Sequence, residues 1–237
     1  MATVKKRTAK KTAPRATTRA KPRVGTRKVP RAERMEQMLL VGARVFAQHG
    51  YHATSMDEIA KRAGISKPML YRYFESKDGL YLAIIDRTGQ HMIDGLGLIM
   101  QQPDPIERIE NVAIGLLSFI DRYRDLWMVM YKEALSLDGP AAQRVRYFRE
   151  RVIANGCINI SEALGNPTEE GRREAEPLSH AMVASGEAIA AWWVSHPDIP
   201  IARIVELVLD TSLPVLLYLR RKRQQTLASA PEPAAVL

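Results

Sequence analysis

The sequence predicts an all-α protein: a short N-terminal unit of three helices followed by a longer helical unit. Two observations carry this prediction. Apolar residues recur at three- and four-residue steps through most of the chain, and no segment sustains the alternation or the hairpin signals of strands. Glycine and proline fall where one stretch of periodicity gives way to the next.

Helical periodicity begins only after a segment of different character. Residues 1–31 hold twelve of the 35 basic residues and none of the 26 acidic ones, so residues 32–237 are slightly acidic despite a net charge of +9 for the chain. A segment rich in Lys, Arg, Ala, Thr and Pro cannot bury enough apolar surface to offset the entropy of ordering, so 1–31 is expected to be a disordered basic arm attracted to polyphosphate. It lacks the continuous apolar stretch of a secretory signal.

Met35, Met38, Leu39, Gly42, Ala43 and Phe46 form the stripe of the first amphipathic helix, with Gly50 as its left-handed cap. Ser55-Met-Asp-Glu58 has the form of a capping box, in which Ser55 accepts from the Glu58 amide and Glu58 reaches back. The helix it opens buries Ile59, Ala60 and Ala63 and closes at Gly64. Ile65 then packs inward and Ser66 opens a third helix, whose Pro68 sits where first-turn amides lack acceptors. With Met69 or Leu70 turned inward, Lys67, Tyr71, Arg72 and Tyr73 make a polar and aromatic outward face without an acid before Glu75. Two short helices joined by a tight glycine turn are a helix-turn-helix, whose second helix projects into the DNA major groove.

Residues 50–80, from Gly50-Tyr-His-Ala-Thr-Ser-Met-Asp-Glu-Ile-Ala through Lys-Pro-Met-Leu-Tyr-Arg-Tyr-Phe to Asp-Gly-Leu80, resemble the DNA-binding signature of the TetR family of bacterial repressors. The resemblance spans about residues 33–86. It implies phosphate contacts from Thr54, Tyr71, Tyr73 and Lys77, and base-edge contacts from Ser66, Lys67, Met69 and Arg72, with Phe74 in the core. The chemistry agrees: arginine can bind guanine bidentately and methionine can touch a thymine methyl, while tyrosine and lysine grip phosphate and fix orientation. A two-fold dimer reads a pseudo-palindrome that a single short helix cannot, so a homodimer is expected.

Beyond Leu80, Pro103 and Pro105 break one helical stretch. Ile109, Val112, Ala113, Leu116, Leu117 and Ile120 mark the next, and another starts at Trp127 and ends at Gly139-Pro140. Further helices are expected over 141–164, 172–195 and 201–221, the last kinked at Pro214. Arg203, Glu206 and Asp210 argue against a membrane span in this final stretch. The resemblance implies that the last two long helices pair with their copies in the dimer. The domain reading is a basic arm over 1–31, a helix-turn-helix domain over 32–80, a helical regulatory and dimerisation domain over 81–223, and a disordered tail over 224–237.

Phe119, Tyr123, Trp127, Met130, Tyr131, Phe148, Met182, Trp192 and Trp193 are candidates for a ligand pocket, because aromatic and methionine side chains line adaptable cavities. Large side chains at helical spacing are also ordinary core. The resemblance places an inducer pocket in this region, and the apolar lining suggests a hydrophobic small molecule such as a fatty acid or acyl-thioester.

Catalysis is not expected. The five histidines are scattered, and neither a His-Glu-x-x-His pair, a phosphate-binding glycine loop nor a Gly-x-Ser-x-Gly elbow occurs. No cofactor or metal is expected, and one cysteine, Cys157, supports neither an internal disulfide nor a thiolate zinc site. A reducing, cytoplasmic setting follows. The sequence therefore predicts a DNA-binding transcriptional regulator of repressor type that binds double-stranded DNA and is released by a small ligand. The alternative is a sequence-indifferent DNA-compacting protein that uses the basic arm.

Overall fold

The computed structural model describes residues 30–133 and 139–229; the basic arm up to residue 29 and the end of the tail from residue 230 lie outside the described residues. The described residues form α1 (Arg31–Ala53), α2 (Met56–Arg62), α3 (Lys67–Phe74), α4 (Lys77–Ile99), α5 (Pro105–Arg122), α6 (Arg124–Met128), a π-helical turn (Val129–Glu133), α7 (Pro140–Ala163), α8 (Glu169–Val194) and α9 (Ile201–Ala228). No strand occurs among them.

Local chemistry explains the first boundaries. Gly50 has φ 76° and ψ 164°, which breaks α1 one turn before its end. Ser55 caps α2 by accepting from the Glu58 amide at 3.2 Å. The Glu58 carboxylate accepts from Arg62 Nη2 at 2.7 Å, one helical turn on, so its side chain serves an ion pair where the capping box would turn it back to Ser55. α2 ends in a Schellman motif: Ile65 N–H donates to Ala60 O at 3.0 Å, Gly64 N–H to Lys61 O at 3.2 Å, and Gly64 takes the left-handed φ of 65°.

The turn from α3 to α4 is tighter than its sequence suggests. Glu75 adopts φ 62°, Ser76 caps α4 by accepting from Gly79 N–H at 2.9 Å, and a Cβ at position 79 would collide with the Phe74 carbonyl oxygen. Only glycine fits there without shifting α3 against α4.

Helices α1 to α4 share one core in which Phe46, Ile59, Leu70, Leu80 and Ile84 are fully buried. The same cluster continues through Leu126, Val129, Met130, Val145 and Phe148. A division at residues 80 and 81 thus falls inside α4 and inside a continuous core. Two further clusters hold the body together, one around Leu117, Ile120, Trp127, Trp193 and Ile204, the other around Ile160, Ala175 and Leu216. α8 packs along α7. It runs antiparallel to α9, as the bonds from Trp193 Nε1 to Ile199 O at 2.9 Å and from Arg223 to Glu174 at 2.9 Å show at opposite ends.

Two expected boundaries move. Arg31, read as the end of the arm, is the first residue of α1, and residues 224–228, read as tail, continue α9. α9 also passes through Pro214 without interruption of the helix. No helix among the described residues is long and apolar enough to cross a membrane.

Candidate nucleic-acid interface and interior cavity

The outward face of α3 is set by what its inward face buries. Leu70 is 0% exposed and Phe74 is buried, which leaves Lys67, Tyr71 and Arg72 exposed on the opposite side, with Ser66 at the N-cap. Met69 and Tyr73 are half-buried at the flanks. Arg34 Nη1 donates to Met69 Sδ at 3.9 Å, and the Arg31 guanidinium lies 5.4 Å from the Tyr73 ring centroid. Arg31, Arg72 and Tyr73 line an open notch of about 190 Å³. Arg31 therefore joins this face, a residue sequence reasoning missed; the signal was Pro30 directly before the helix, a common helix-start residue.

Lys67 is not a bare cation. Its Nζ donates to Asp57 Oδ2 at 2.8 Å, and this hydrogen bond, aided by the carboxylate's charge, holds the ammonium pKa above its ordinary value. The expected base-edge contact is thus already paired to a carboxylate of α2 in this structure.

Two expected phosphate contacts are placed differently. Thr54 is 3% exposed, and its hydroxyl donates to Gly50 O at 2.8 Å, so it closes the α1–α2 turn instead of facing solvent. Lys77 donates to Tyr51 O at 2.9 Å, Thr54 O at 3.2 Å and His52 O at 3.4 Å, and stands 4.5 Å from the Tyr51 ring centroid. Its charge is spent on the carbonyls at the end of α1, where a cation is favoured. Both residues lock the junction from which α3 is presented.

Behind this head, α4, α5, α7, α8 and α9 line a partly open apolar cavity of about 170 Å³. Its wall runs along α7 from Val145 to Ile160, roughly 22 Å at 1.5 Å per residue. Of the nine pocket candidates, Trp127, Met130, Tyr131, Phe148 and Met182 line it. The other four lie outside the lining. Phe119 and Tyr123 pack on each other and on His91, Trp193 is buried with the Arg124 guanidinium over its ring, and Trp192 is 47% exposed and stacked on His196. Sequence reasoning missed the short and polar lining residues, among them Gly89, Gly156, Asn159, Ser179 and the Arg149–Glu187 ion pair. At Gly89 of α4, a Cβ would collide with the Phe148 ring.

A short helix presented by a glycine turn, with its basic and aromatic face outward and a cavity-bearing helical body behind it, is the arrangement of a helix-turn-helix DNA-binding protein. Residues 39–84 match the family model for bacterial regulatory proteins of the tetR family, and residues 105–213 match the tetracyclin repressor-like C-terminal domain. A TetR-like transcriptional regulator from Rhodococcus sp. RHA1 is 31% identical, with 86% of this chain and 100% of that chain covered at a TM-score of 0.65. The chain belongs to the TetR family. It is also similar to the HTH-type transcriptional activator FasR of Mycolicibacterium smegmatis, 28% identical over 176 residues, 73% of this chain and 78% of the relative. The regulator FadR from Bacillus subtilis, solved in complex with stearoyl-CoA, shares the fold at 19% identity and a TM-score of 0.62, over 76% of this chain and 96% of that one.

Proposed function

We propose that this protein is a homodimeric repressor that binds a pseudo-palindromic operator through α3 and leaves it when an apolar small molecule fills the interior cavity. The observation that carries the proposal is the outward face of α3, where Lys67, Tyr71 and Arg72 are exposed over a helix anchored by Leu70 and Phe74. In this reading Ser66, Lys67, Met69 and Arg72 read base edges, and Tyr71 and Tyr73 hold phosphates together with Arg31. The dimer forms through α8 and α9, whose exposed Trp192, Val215 and Tyr218 supply apolar surface for a partner. The functional division follows: helices α1 to α3 with the start of α4 read DNA, and the body from residue 81 to the end of α9 regulates and dimerises.

The long apolar cavity supports a fatty-acyl class of ligand, as does the stearoyl-CoA bound by the Bacillus FadR. The activator name of FasR makes the sign of regulation the part that a reporter must decide.

Footprinting on the DNA upstream of the protein's own gene, with Arg72→Ala beside the wild type, tests the proposal. Wild type should protect a two-fold symmetric site against a large excess of bulk DNA, and Arg72→Ala should cost about 1–3 kcal/mol of discrimination at one base pair per half-site. Binding that bulk DNA competes away at equal concentration would favour a DNA-compacting protein and sink the proposal.

A further inference from the structure

Among the described residues of the cavity wall, only Arg149 on α7 and Glu187 on α8 carry formal charge. They are spent on each other. Arg149 Nε donates to Oε1 and Oε2 of Glu187 at 3.0 and 3.1 Å, and its Nη2 donates to Oε2 at 3.1 Å. The side chains are 31% and 18% exposed, so water screens each charge only in part.

We infer that Glu187 determines head-group specificity: by neutralising Arg149 it makes the cavity select an uncharged amide, ester or thioester and reject the carboxylate of the same chain. The inference rests on the reading of this cavity as a ligand site. A carboxylate entering the apolar wall must shed its water and find a cation. The one within the lining is Arg149, whose charge Glu187 already neutralises, so a second carboxylate leaves this partly buried site with one uncompensated negative charge. A neutral carbonyl meets no such conflict. It also suits the uncommitted polar atoms of the wall residues, since Trp127 Nε1 and Asn159 Oδ1 have no hydrogen-bond partner although both residues are more than nine-tenths buried. Any neutral carbonyl offers an acceptor to the first, and an amide alone also offers a donor to the second, which an ester, a thioester and a carboxylate lack.

The test is calorimetric titration of the full chain with decanamide and with decanoate, ligands matched in chain length, one neutral and one anionic. Wild type should bind decanamide at least ten-fold more tightly. Glu187→Gln, which keeps the shape and frees the Arg149 charge, should reverse the ratio in favour of decanoate. The double variant Arg149→Met with Glu187→Gln, neutral again, should restore the preference for decanamide, which separates charge from any loss of packing. Equal or tighter binding of decanoate by the wild type, or an unchanged ratio in Glu187→Gln, overturns the inference and leaves the ligand reading standing. Binding of neither compound overturns both.

Discussion

Lys77 separates a phosphate ligand from a structural clamp, and Lys77→Met tells the two apart. Its ammonium serves three carbonyls, the shortest bond being 2.9 Å to Tyr51 O, and it faces the Tyr51 ring at 4.5 Å. A charge-assisted hydrogen bond contributes about 1.5–3 kcal/mol and a cation–π contact about 0.5–1 kcal/mol. Lys77 is half-buried, so water replaces part of what is lost and the net cost should be about 1–2 kcal/mol. For a chain of this size that corresponds to a fall in Tm of roughly 3–6 °C. Thermal melts followed by circular dichroism measure this, and operator titrations at several salt concentrations measure the other role. The clamp requires a lowered Tm, a uniform loss of affinity across operator variants, and an unchanged salt slope. An unchanged Tm with a salt slope smaller by about one would refute the reasoning, because that is the signature of a lost phosphate contact.

Thr54→Val should lower stability by about 1–2 kcal/mol, since it removes the buried donor to Gly50 O, and should leave the order of preference among operators intact. A changed base preference with unaltered Tm would return Thr54 to the DNA face. Gly89→Ala should cost about 1–3 kcal/mol by forcing the Phe148 ring off α4, read as a lower midpoint in urea. Burial raises the Cys157 pKa above its ordinary value, the largest influence on it, so the folded state favours the neutral thiol. Its contribution to stability is therefore complete below the ordinary thiol pKa and fades as pH rises through the folded one. Alkylation by iodoacetamide at neutral pH should accordingly be slower in the native protein than in urea, and equal rates would contradict that placement.

The parts of this molecule legible in sequence are those decided within a few residues. Ser55 and Gly64 bracket α2 because a hydroxyl three residues before an amide and a residue free to adopt positive φ act locally, whatever the rest of the fold does. Thr54 and Lys77 look like donors for phosphate in any one-dimensional reading, yet residues up to 26 positions away in sequence claim their polar atoms. The Asp57–Lys67 pair is equally invisible, because α2 and α3 must pack before the two meet. The cavity was only half legible for a related reason. Aromatic and methionine residues advertise themselves, but short lining residues carry no signal until facing helices are known: Gly186 leaves open space, whereas Gly89 and Gly156 let Phe148 and Ser179 pack against the backbone.

Interior and reading head are not separate compartments. Met130 and Phe148 line the cavity and also belong to the cluster that holds Leu70 and Phe74, the anchors of α3. α4 serves both sides as well: Leu80 and Ile84 enter the head's core, while Gly89, Met92 and Ile93 face the cavity. A second connection runs from Tyr81 Oη, which donates at 3.3 Å to Val129 O in the π-helical turn that also carries Met130 and Tyr131. A molecule that displaces Phe148 therefore presses on α4 where no Cβ cushions it, and close-packed cores pass on such a displacement because they hold few voids to absorb it. If a ligand acts as proposed, the size of its effect on DNA is bounded by its difference in affinity for the two arrangements, and operator then weakens ligand binding by the same factor. Tight binding alone is thus no measure of an inducer. A compound that fills the far end of the cavity near Ile160 and leaves Phe148 in place should bind without releasing DNA.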